Sequence, residues 1–210
     1  ALLLVCSDHG FAPFSRQFHL NTWLRDNGYL AIKDGARRKT ETAITDIDWS
    51  RTTAYGIGFN GLYLNLAGRE GEGIVSREQA SGLLDRLTRE LERIVDPATG
   101  QRPIARVYRR DDLYAGEATP QMAELLVGYA RGYRGSSPSV LGGTGRQTID
   151  LNPWAWRGDH SMACDLVPGV LVSSRPVRKE RPNILDLPVT ILDWFGVGRP
   201  TQMTGRSLFG

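Results

Sequence analysis

Three histidines occur in the 210 residues, and two of them, His9 and His160, stand in matching surroundings, "SDHGF" and "RGDHSM". Each follows an aspartate, Asp8 or Asp159, in a stretch that reads as a loop after or before a short apolar run. An imidazole and a carboxylate presented together suit a borderline divalent ion such as Zn²⁺ or Mn²⁺, with bonds of ~2.0–2.2 Å. Gly10 allows the backbone to turn sharply beside such an ion. An Asp-His pair is also a common surface polar pair or histidine ion pair, so the residue types alone leave both readings open.

The other candidates are expected to be structural. His19 falls on a predicted helix, where capping or packing is the expected role. Cys6 and Cys164 are too few for a disulfide framework; one bridge stays open, but two small buried hydrophobes are the expectation. Asp159 either orients His160 as an outer acceptor or faces water. Arg69, in "GREGEG", has the fork to grip a phosphate, yet beside two glutamates an ion pair is the expected state.

These residues need elements to position them. The run Leu2 to Val5 is continuously apolar and short, which fits a strand buried on both faces of a parallel sheet. From Ser15 to Asn27, Phe18, Trp23 and Leu24 recur at near-helical spacing, and Gly28 sits where a glycine closes a helix. Residues 34 to about 60 are polar and glycine-dotted, and "GLYLNLAG" (61–68) then alternates as a strand. "SREQASGLLDRLTRELERIVD" is the clearest helix, with Ser76 and Gln79 as a capping box and a stripe of Leu83, Leu84, Leu87, Leu91 and Ile94. "PIARVYRR" (103–110) and "ELLVGYARGY" (124–133) read as strands, with a glycine- and serine-rich loop to about 147. "GVLVSSR" (169–175) is a further strand, and "NILDLPVTILDWFG" (183–196) a helix with Pro188 in its first turn. The fold class is therefore α/β: residues 1–33 and 151–210 form one layer, and 34–150 is an inserted α+β cap carried between them. Asp8, His9 and His160 are expected at the carboxyl edge of that layer.

Bulk composition excludes little. A 40% hydrophobic and 23% charged chain of net charge +3 is ordinary for a soluble globular protein. The basic patches "GARRK" (35–39) and "RPVRKER" (175–181) lack interleaved aromatics and read as solvated loops, so a nucleic-acid polymer is not an expected partner. No apolar run approaches the ~20 residues of a membrane span, and no signal peptide is evident, so a soluble chain is expected, with the compartment left open and the cytoplasm favoured. The first residue is Ala1 and a strand-like run follows at once, which reads as a piece of a longer protein.

Three segments in order, "LLLVCSDHGF", "GDHSMACDLVPGVLVSSRPV" and "ILDLPVTILDWFGVGRPTQMTGRSLFG", resemble the C-terminal half of the alkaline phosphatase superfamily. The match is closest to its type I phosphodiesterase/nucleotide pyrophosphatase branch and related phosphohydrolases and phosphomutases. The middle segments "FNGLYLNLAGREGEGIV" and "RVYRRDDLYAG" resemble the same relatives without a motif of known chemistry. The resemblance implies a mostly parallel sheet between helices, with Asp8 and His9 on one divalent ion and His160 on a second, Zn or Mn. It implies a two-metal phosphohydrolase that cleaves a phosphodiester or pyrophosphate bond in a small phosphate-ester substrate. The family's nucleophile and remaining ligands precede its "DHG" strand, so this chain alone is expected to be a poor catalyst. A phosphomutase or sulfatase of the same superfamily, and a binding domain without the full site, are the rival readings.

Overall fold

The computed structural model describes residues 1–210 and runs, in chain order, through β1 (Leu4–Cys6), β2 (Ala12–Phe18), α1 (Leu20–Asp26), β3 (Ala54–Ile57), β4 (Gly61–Leu64) and α2 (Arg77–Arg93). It continues through β5 (Ile104–Arg109), α3 (Arg110–Leu113), β6 (Leu125–Tyr129), β7 (Gly132–Gly135), α4 (Ser137–Val140), β8 (Ile149–Leu151), β9 (Gly158–Asp159), β10 (Leu171–Ser173) and α5 (Asp186–Trp194). The chain forms two units, Phe11–Val167 and the pair of segments Ala1–Gly10 and Pro168–Gly210. The expected cap segment, 34–150, lies wholly inside the first of these.

In the larger unit the sequence signals act locally as expected. Ser76 Oγ accepts from the Gln79 N–H while Gln79 Oε1 accepts from the Ser76 N–H, so two backbone donors that α2 could not satisfy internally are paired. The apolar stripe then turns Leu87 and Leu91 completely inward against β5. β3, β4, β6 and β5 form an antiparallel sheet in that order, and Leu62, Leu64, Leu125 and Val127 bury one face of it. A second sheet centres on β2, which pairs with β7, β8 and β9. Here the expected helix from Ser15 begins only at Leu20; Ala12 to Phe18 is a strand whose alternation buries Ala12, Phe14 and Phe18. Gly28 takes φ +80° just past the helix, as the closing position requires.

The expected mostly parallel sheet is not what forms. Among the named strands only β2 and β7 run parallel; all other pairings are antiparallel. The physical reason is the connections. β3 returns as β4 through residues 58–60, with Gly58 at φ +73°, and a tight hairpin can join only antiparallel neighbours.

In the smaller unit β1 and β10 pair antiparallel, with Val5 opposite Val172. The apolar run at Leu2–Val5 is not buried on both faces: Leu3 is 62% exposed and Val5 53%, because two strands alone cover neither face. The fully or nearly fully buried hydrophobic side chains of this unit are Val189 and Leu208. Beside them sits the buried carboxylate of Asp186, which accepts from Lys179 Nζ at 2.7 Å, the Asn183 N–H at 2.7 Å and the Arg206 N–H at 2.8 Å. Burial pushes its pKa up, but these donors together hold it below the ordinary carboxylate value. No helix of the chain is long and apolar enough to cross a membrane.

Candidate functional site

Asp8 and His9 follow directly on β1, and the end of the β1–β10 ladder fixes where they stand. The Ser7 N–H donates to the Val170 carbonyl and Ser7 Oγ accepts from the Val170 N–H, both at 2.9 Å. Gly169 permits that closeness: a Cβ there would lie 2.5 Å from the Ser7 carbonyl oxygen and 3.1 Å from that of Asp8. Asp8 also lines a cavity of about 430 Å³ with Gly169, Asn183 and Leu187.

The His9 ring is oriented by its own backbone. Nδ1 lies 3.0 Å from the Gly10 carbonyl, to which it donates, and this tautomer leaves a lone pair on Nε2. That nitrogen stands 3.5 Å from Asp8 Oδ2, while Asp8 Oδ1 accepts from the His9 N–H at 3.0 Å. A tetrahedral ion bonded at ~2.1 Å to one nitrogen and one oxygen sets those atoms about 3.4 Å apart. The Asp8–His9 pair therefore has both the donor chemistry and the spacing of one edge of a metal's ligand shell.

His160 belongs to the larger unit and is held differently. Asp159, on the two-residue strand β9, is buried, and its Oδ1 accepts from the His160 N–H at 2.7 Å and the Ser161 N–H at 2.9 Å. Its Oδ2 pairs with Arg134 Nε at 3.3 Å. Asp159 thus fixes the loop rather than facing water, and with its oxygens engaged it is an anchor for His160 rather than a second ligand. The His160 ring meets the Phe11 ring edge-on at 5.6 Å between centroids, with its side chain about half exposed. Within neither unit do three His, Cys, Asp or Glu side chains gather as a group able to hold a metal ion.

The remaining candidates are committed elsewhere. His19 is buried, with Nε2 3.1 Å from Asp150 Oδ2, and its side chain does not cap α1. Gly145 is what admits the ring, since a Cβ there would fall 2.3 Å from His19 Nδ1. Arg69 is half-buried and forms the expected ion pair: it bonds Glu124, Glu70 Oε1 at 2.8 Å and the Leu64 carbonyl at 2.8 Å, with Glu124 itself buried. Burial pulls its pKa down, but the two carboxylates outweigh that and raise it, so its fork is occupied rather than offered to a phosphate. Cys6 and Cys164 are free and exposed, contrary to the expectation of buried thiols. Arg134 and Gly169, which position the two motifs, carry no signal in sequence beyond their types.

A family model described as type I phosphodiesterase / nucleotide pyrophosphatase matches residues 1–136, which include "SDHGF". No curated protein and no solved structure matches the chain.

Proposed function

The chain belongs to the type I phosphodiesterase/nucleotide pyrophosphatase family, one of phosphodiester- and pyrophosphate-cleaving hydrolases, and from that premise we propose that its residues supply metal ligands for hydrolysis of a small phosphate ester. Asp8 and His9 hold one divalent ion, Zn or Mn, and His160 holds a second. The observation that carries this is the Asp8–His9 edge: Nε2 and Oδ2 at 3.5 Å, with Nδ1 tied to a carbonyl. Divalent ions bound at these residues supply charge neutralisation and polarisation of the phosphoryl oxygens.

The chain's own part is to deliver donors in fixed orientation. Gly10 supplies the carbonyl that selects the His9 tautomer. Asp159 and Arg134 hold the His160 loop, so the imidazole is presented from an anchored backbone. Ser7 adjoins the first motif but its Oγ is engaged by Val170, and in the turn of Ser161 the Asp159 oxygens are taken by backbone N–H groups and Arg134 while His160 is assigned to an ion, so neither serine is proposed as the nucleophile. Segment 34–150 is proposed to govern substrate choice.

Calorimetric titration of the chain with Zn²⁺ and Mn²⁺, beside Asp8→Asn, His9→Ala and His160→Ala, tests the reading. Loss of at least tenfold in affinity for Asp8→Asn and His9→Ala, and of a separate binding event for His160→Ala, is expected. Metal binding that none of the three substitutions alters would overturn it.

A further inference from the structure

The basic stretch "GARRK" (35–39) keeps its three cations exposed, as expected of a solvated loop, but it is curled rather than extended. A short 3-10 turn over Asp34–Ala36 buries Ala36, and the Lys39 N–H then donates to the Ala36 carbonyl at 2.9 Å. That curl puts Arg37 and Lys39 on the lining of a cavity of about 380 Å³ in the larger unit and leaves Arg38 off it. Arg25, from the last turn of α1, and Arg51 line the same cavity. Gly28, at φ +80°, turns the chain after α1, and the buried Leu30 and Ile32 supply an apolar wall.

Four cations and no carboxylate line this space. Each cation has an aspartate outside the lining: Asp26 lies 2.8 Å from Arg25, Asp34 2.9 Å from Arg37, Asp46 2.8 Å from Lys39 and Asp48 4.0 Å from Arg51. Lys39 is the most firmly held, by both Asp46 oxygens. The arginine pairs are weak competitors for a ligand. Arg37 and Asp34 are 56% and 86% exposed, and 4.0 Å is beyond hydrogen-bond reach for Arg51; exposed pairs of this kind contribute little. A guanidinium carries five N–H donors, and one carboxylate oxygen engages a minority of them. A cleft lined by charge of one sign against a low-dielectric wall also focuses the field inward.

The charge of the ligand follows from these competitors. A singly charged anion offers each cation no more than its aspartate already does, whereas a compact group with several charges meets more than one cation at once. We infer that this cavity is a binding site for a small diphosphate anion, with Arg25, Arg37 and Arg51 as forked donors and Lys39 as a point charge. Its volume lies toward the lower end of the ~300–1,000 Å³ usual for small-ligand sites, which suits such a group. No lining residue belongs to either Asp-His motif, so the inference does not depend on the metal reading.

The test is calorimetric titration of the whole chain at fixed ionic strength with EDTA present, so that no divalent ion at Asp8, His9 or His160 contributes. Pyrophosphate should bind at least tenfold more tightly than inorganic phosphate, and acetate should not bind. Arg37→Gln with Arg51→Gln should weaken pyrophosphate at least tenfold; both side chains are exposed, so the fold is kept. Arg77→Gln with Arg89→Gln, exposed on α2, removes the same charge and should change it less than twofold. Methyl diphosphate separates the sources: affinity equal to that of pyrophosphate supports the site as one for a terminal diphosphoryl group, and a tenfold loss supports it as one for the free anion. Absent binding of pyrophosphate, or equal weakening by the two double substitutions, overturns the site. Citrate binding as tightly as pyrophosphate overturns the phosphoryl assignment.

Discussion

The two units place the same kinds of residue in opposite ways. In Phe11–Val167 the leucines of the strands and of α2, such as Leu62, Leu87, Leu91 and Leu125, are completely buried. In the unit of Ala1–Gly10 and Pro168–Gly210, Val5, Val172 and Ile191 are at least half exposed and Phe195 is 73% exposed. One unit is held by apolar burial, the other by hydrogen bonds converging on Asp186. The aspartates of the two Asp-His motifs share this contrast: Asp8 has a side chain 70% exposed, whereas the Asp159 side chain that anchors His160 is 9% exposed. Perturbing each unit should therefore have different consequences.

The largest effect is expected from Asp186→Ala. It leaves the Asn183 and Arg206 N–H groups without their acceptor and frees the partly exposed Lys179 ammonium, and each unsatisfied donor costs about 1–3 kcal/mol, so the losses together exceed any single truncation below. Hydrogen exchange should show the amides of Arg206 and Leu208 losing protection while those of β6 keep theirs. Retained protection at Arg206 would break the comparison.

Next, Leu125→Ala should destabilise the larger unit by about 3 kcal/mol in urea denaturation, from lost burial plus a cavity. Val172→Ala, on an exposed strand face, should stay within roughly 0.5 kcal/mol. Similar values for the two would erase the distinction between the units.

Acid sharpens the comparison. Asp96 in the larger unit is buried, which raises its pKa, but the Ala98 N–H, the Tyr133 hydroxyl and Arg16 together lower it below the ordinary value. Asp186 is lowered likewise. Both groups bind protons more weakly folded than unfolded, so their stabilisation is complete above the ordinary carboxylate pKa of ~3.9 and is lost as pH falls through the lower folded value. The smaller unit, with little apolar burial in reserve, should open first in a downward pH titration followed by NMR, and Asp186→Asn should remove most of that pH dependence. Ser76→Ala falls between Leu125→Ala and Val172→Ala: it removes the α2 cap at about 1 kcal/mol and should be read as a small shift of the larger unit's urea midpoint.

Local signals were legible where chemistry fixes them within a few residues. The Ser76–Gln79 box, the inward stripe of α2 and the closing position of Gly28 all lie in short-range geometry. The Asp8-His9 pair was legible as donor types, because neighbouring residue types are read directly from the chain. Strand direction was not, because it depends on the hairpin at 58–60, hidden in a polar stretch where β3 gives no apolar run. Exposure of Val5 was equally invisible: an apolar run states what a strand could bury, not whether anything covers it. The anchors of the His160 loop come from β7 and β9, through Arg134 and Asp159, and no local pattern records such a convergence.

The most direct measurement is anomalous diffraction from crystals of the chain loaded with Zn²⁺ or Mn²⁺. The account predicts one anomalous peak within ~2.0–2.2 Å of both Asp8 Oδ2 and His9 Nε2, and another at the His160 imidazole. Full-occupancy metal bound instead at the exposed thiols of Cys6 or Cys164, with Asp8, His9 and His160 bare, would contradict it.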